Sequence, residues 1–139
     1  MSARSKARKR ALDILYAADV RQAPVSDVLE AEAKRAAGEP SRAASWLYAR
    51  EIVDGVEDHR SEIDGLIAAH AEGWTLARMP AVDRAILRIG IWELLFNEEI
   101  PAAVAIDEAV ELAKELSTDE SSGFVHGVLA AVGRAGATG

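Results

Sequence analysis

The chain has 139 residues, no cysteine and a formal net charge of −7. That length suits one domain with its own core, and the lack of cysteine excludes disulfides, thiolate metal sites and thiol nucleophiles. No apolar run approaches the roughly 20 residues that span a bilayer, and the charged start MSARSKARKR has no apolar stretch behind it to make a secretory signal. A cytoplasmic protein is the expectation.

Alanine supplies 28 residues, against ten glycines and four prolines. With the best helix former abundant and the breakers scarce, the composition predicts an all-α fold. The charge is unevenly spread. Residues 1–10 hold Arg4, Lys6, Arg8, Lys9 and Arg10 and no acid, whereas the rest of the chain carries −12. A basic arm on an acidic body points to a polyanionic partner, and a merely solubilising tail is the rival reading. The arm runs into ALDILYAADV without glycine or proline, so it reads as the first turns of a helix. Cations there oppose the helix dipole; an arm that orders on RNA relieves that penalty.

In chain order, the first helix is predicted over about residues 4–22, with Ala11, Leu12, Ile14, Leu15 and Ala18 facing a core. Tyr16 falls near the end of the basic turns, within reach of a base if exposed. Pro24 is read as closing this helix and Ser26 as capping a second that ends at Gly38. After the loop Gly38–Ser41, apolar residues from Trp46 to Ile67 predict two helices parted near 58–61, with Gly73 ending the block. Trp74–Pro80 reads as a connector with anchoring side chains.

Pro80 then opens AVDRAILRIGIWELLFN, apolar almost all round and so destined for the middle of a bundle. Pro101 starts a helix with Val104, Ile106, Ala109, Val110, Ala113 and Leu116 inward. Ser117 to Glu120 matches a capping box for a last helix, in which Gly127 implies a close neighbour. Residues 133–139 are expected to fray. About seven helices result.

No phosphate loop or nucleophile elbow occurs. His59, His70 and His126 lack ligand spacing, so no metal site is expected. Nor is a cofactor or a catalytic residue: the sequence reads as a binding module.

The arm leading into ALDILYAADV, then WTLARMPAVDRAILRIGIWELL and PAAVAIDEAVELAKELSTDESSGFVHGVL, resembles the NusB family of transcription antitermination factors from about Ala3 to Val132. The resemblance implies two packed helical subdomains, here about 1–74 and 75–135. It implies binding of the single-stranded boxA element of nascent ribosomal RNA together with the ribosomal protein that doubles as NusE. RNA polymerase and the other Nus factors would be engaged indirectly.

By the same resemblance, Arg4, Lys6, Arg8, Lys9, Arg10 and Tyr16 form an RNA-binding arm, and Lys114, Glu120 and Phe124 a second RNA patch. His126 stands where the family usually has Asn, which leaves any base preference carried there in question. Asp83 matches an acid that faces the ribosomal partner. The implied arrangement sets the basic turns beside the aromatic patch, gripping one unpaired strand. Two rivals remain at this stage: a protein-interaction domain, and the RNA-binding module of a ribosomal RNA methyltransferase. Self-association as a homodimer is also open.

Overall fold

The computed structural model describes residues 2–138. Among them are seven α-helices, two 3₁₀ turns and no strand. The chain divides into two compact units inside its third helix, between Asp54 and Gly55, well before the boundary expected near residue 74. The reason is that residues 60–70 pack against later helices.

In the first unit, α1 (Ala3–Arg21) starts at Ser2, whose Oγ accepts from the Ser5 amide at 3.1 Å. Its predicted stripe, Ala11, Leu12, Ile14, Leu15 and Ala18, is buried. Pro24 does not close it. Gln22 does, in the left-handed region (φ 54°), with Gln22 N–H donating to Asp19 and Ala23 N–H to Ala18. That pair of bonds is a Schellman turn, built here on a non-glycine residue. Pro24 instead occupies the cap position of α2 (Val25–Ala37), where Ser26 was expected. No residue of α2 is fully buried; it lies on α1 as a half-covered amphipathic helix. The turn Pro40–Arg42 leads into α3 (Ala43–Asp58), whose Leu47 is 68% exposed against the apolar pattern.

The second unit holds the end of α3, α4 (Arg60–His70), α5 (Ala81–Phe96), α6 (Ala102–Leu116) and α7 (Asp119–Thr138). The break between α3 and α4 falls at His59, as the polar stretch predicted. Pro80 and Pro101 cap α5 and α6 rather than lying inside them, their carbonyls accepting the first helical bonds from Arg84 and Ala105. Helix α5 packs against α4, α6 and α7 and is buried from Ala85 to Glu93, the central position its all-round apolarity predicted. Its one arginine in that stretch with a surface partner, Arg88, makes a two-pronged contact with Asp64 (2.9 and 3.2 Å). Burial without such a partner would be costly.

Four further expectations change. Helix α6 buries Ala105, Ala109, Leu112 and Ala113, leaving Val104 and Leu116 at the surface. The close approach assigned to Gly127 belongs to others: a Cβ there meets nothing, whereas one on Gly90 would meet Leu129 and Ala109, and one on Gly55 would strike Trp92. The α7 cap is Thr118, whose Oγ1 accepts from the Ser121 amide, one residue later than the predicted box. Residues 133–138 are helical rather than frayed, with Gly133 and Gly136 set against Leu94 and Leu95; Gly139 lies outside the described residues.

Candidate nucleic-acid interface

Helical spacing sorts the basic arm into two faces. Lys6, Lys9, Arg10 and Asp13 stand three or four residues apart and line one side of a groove between α1 and α2, a cavity of about 720 Å³. Arg21, Arg35 and Arg42 join them, so six cations meet the carboxylates of Asp13, Asp27 and Glu32. Arg10 Nε donates to Ser45 Oγ at 3.0 Å, which fixes that guanidinium to α3. Partial burial and the nearby Glu32 push the Asp13 carboxyl above its usual range, against the pull of Arg10 and Lys9.

Arg4 and Arg8 point the other way. Their guanidinium carbons lie 5.5 and 5.9 Å from the Tyr48 ring centroid, inside cation–π range. Arg8 is only 2% exposed, so as it stands it packs inside rather than meeting an outside phosphate. Arg4 and Lys6 are exposed, and Lys9 and Arg10 partly so. Tyr16 is 40% exposed, open enough to meet a base. Tyr48 escaped the sequence reading because it sits inside an apolar helix with nothing in its spacing to set it apart.

The second patch is in the other unit. Phe124 of α7 lies beside Trp74, with ring centroids 6.3 Å apart and planes tilted by 58°. The two rings border a cavity of about 310 Å³ completed by Met79, Pro80, Asp83, Thr118, Glu120 and Ser121. Glu120 and Phe124 thus line one cavity, whereas Lys114 and His126 are exposed outside it. His126 is two residues from Phe124, and such residues do not share a helix face.

Asp83 corrects its expected role most sharply. It is 3% exposed and accepts from Ser117 Oγ (2.7 Å) and Ser121 Oγ (2.9 Å). Its carboxylate is therefore drawn in at the base of that cavity rather than spread on the outer surface, and it holds the turn that begins α7. Among the described residues no cluster of three or more His, Asp or Glu could hold a metal ion, and no helix is long and apolar enough to cross a membrane.

The NusB family model matches residues 5–134. The chain belongs to the NusB family. Arg4 lies one residue ahead of that match, and the rest of the arm and the whole α7 patch fall within it. The transcription antitermination protein NusB of Leifsonia xyli subsp. xyli is 68% identical over 132 residues, 95% of this chain and 92% of its own. That of Clavibacter sepedonicus is 62% identical over 135 residues, 97% and 98% of the two chains. The solved structure of T. maritima NusB superposes with a TM-score of 0.84 at 32% identity, covering 96% of this chain and 92% of that one. A crystal structure of the antitermination factors NusB and NusE in complex with double-stranded RNA gives 0.82 at 29%, covering 97% and 98%. This NusB-family chain thus shares its helical arrangement with relatives of known structure over nearly all its length.

Proposed function

We propose that this chain is a transcription antitermination factor, non-enzymatic, that binds the unpaired boxA element of nascent ribosomal RNA together with the ribosomal protein NusE. It acts in the cytoplasm, reaching RNA polymerase and the other Nus factors through that complex. The observation that carries the reading is the basic face of α1, a concentration of cations on an otherwise acidic chain. Its relatives' names and the NusE and RNA complex of a structural neighbour support it.

In this reading Arg4, Lys6, Lys9 and Arg10 take phosphates, which fixes affinity but not sequence. Tyr16 and Phe124 take unstacked bases, with Lys114, Glu120 and His126 around the second patch. Arg8 supports the arm from beneath through Tyr48. The acidic body suits a basic ribosomal protein, and Asp83 shapes that region through the Ser117–Ser121 turn.

A boxA RNA titration with and without NusE, across a salt series, tests this. Four neutralised phosphates give a log–log salt slope of about −2.8 on a single strand. Absence of RNA binding by the folded protein in both conditions would instead favour a protein-interaction domain.

A further inference from the structure

Trp74 is a large aromatic left 49% exposed at a point where the backbone is held firmly. Helix α4 ends at His70, Gly73 turns the chain with φ +78°, and the Trp74 amide donates to Ala71 at 3.1 Å. The connector that follows is clamped from α5: Arg84 Nη1 donates to the carbonyls of Leu76 (2.8 Å) and Met79 (2.7 Å). The opposite wall, carrying Phe124, is clamped by Asp83 through Ser117 and Ser121. Two loops are therefore fixed so that two rings meet at an open corner above a polar floor.

We infer that this corner is a slot for one unpaired nucleobase, with Trp74 as the stacking wall that Phe124 alone lacks. The inference rests on the RNA-binding reading and deepens it. The chemistry selects the occupant. Aromatic walls favour a flat π-face, at about 1–3 kcal/mol per stacked base. The Asp83 floor and the Glu120 rim disfavour a phosphate, so the uncharged base enters and the backbone stays out. Ser121 gives its one hydroxyl proton to Asp83 and can only accept, while the exposed Thr118 hydroxyl donates or accepts. Because every base has a π-face, the slot adds affinity more than sequence preference.

The test uses the full chain and a single-stranded boxA oligonucleotide. Trp74→Ala weakens binding about fivefold or more, whereas Trp74→Phe, which keeps a ring, stays within about twofold of the parent. Of the three tryptophans, Trp74 reports the contact: RNA quenches the parent's fluorescence, and that quenching is lost in Trp74→Phe. An abasic scan finds one position whose loss matches Trp74→Ala, and the two losses do not add. Changing the base at that position has little effect.

Unchanged affinity in a folded Trp74→Ala variant, or quenching that persists in Trp74→Phe, overturns the slot while leaving the arm's salt-dependent binding intact. RNA binding unchanged but NusE binding lost in Trp74→Ala would make the corner a protein contact and overturn it equally. A parent chain that binds no RNA at all fails both this inference and the reading beneath it.

Discussion

Asp83 and Arg84 are neighbours on the first turn of α5, yet each holds a different loop. Asp83 accepts from Ser117 and Ser121 ahead of α7, and Arg84 donates to Leu76 and Met79 in the connector before α5. Successive helix residues diverge by about 100°, so one dipeptide reaches both sides. The corner between Trp74 and Phe124 follows from that divergence.

Removing either clamp should therefore cost stability. Asp83→Ala removes the charged acceptor of two hydroxyls, which keep only their contacts to each other and to Thr118, and is expected to lower unfolding free energy by about 1–2 kcal/mol. Arg84→Ala frees the connector at a similar cost. Urea denaturation measures both; a change below about 0.5 kcal/mol for either would show that its loop is held by something else.

The arm's cations should separate by face. Lys6→Ala with Lys9→Ala is expected to flatten the RNA salt slope by about 1.4 and leave stability unchanged. Arg8→Ala should do the reverse, lowering stability by about 1 kcal/mol through lost packing on Tyr48 with little change in slope. Equal slopes for the two variants would contradict the division read from burial.

Asp13 predicts a pH signature. Its folded carboxyl titrates above the unfolded value of about 3.9. Protonation thus favours the fold: the stabilising contribution is full below that unfolded value and is lost as pH rises through the folded one. Asp13→Asn, neutral throughout, should be more stable than the parent at pH 7, with the advantage shrinking as pH falls toward 4. A pH-independent difference would remove desolvation as its cause. Loss of this carboxylate from the cationic groove should also tighten RNA.

The glycines give a paired control. Gly127→Ala adds a methyl in open space on a helix and is expected to stabilise by about 0.5–1 kcal/mol. Gly90→Ala drives a methyl into Leu129 and should destabilise by about 1–3 kcal/mol. Thermal melts that fail to show opposite signs would contradict the packing at both places.

Much of the fold was legible because helices announce themselves locally. The α1 stripe, the α3–α4 break at His59 and the buried α5 all follow from spacing and breakers within a few residues. Caps were less legible: Ser117 and Thr118 both satisfy cap chemistry, and Asp83, 34 residues earlier, claims Ser117 and leaves Thr118 as the cap.

The basic arm, and the polyanion it calls for, were a property of the sequence alone, since charge adds up without regard to shape. Which cations face outward, which acid is buried and which aromatics meet were settled by packing. Tyr48 receives Arg4 and Arg8 from 44 and 40 residues away in the chain, and Trp74 meets Phe124 across 50. No local pattern encodes such pairs, because they exist only when separate helices are brought together around a shared core.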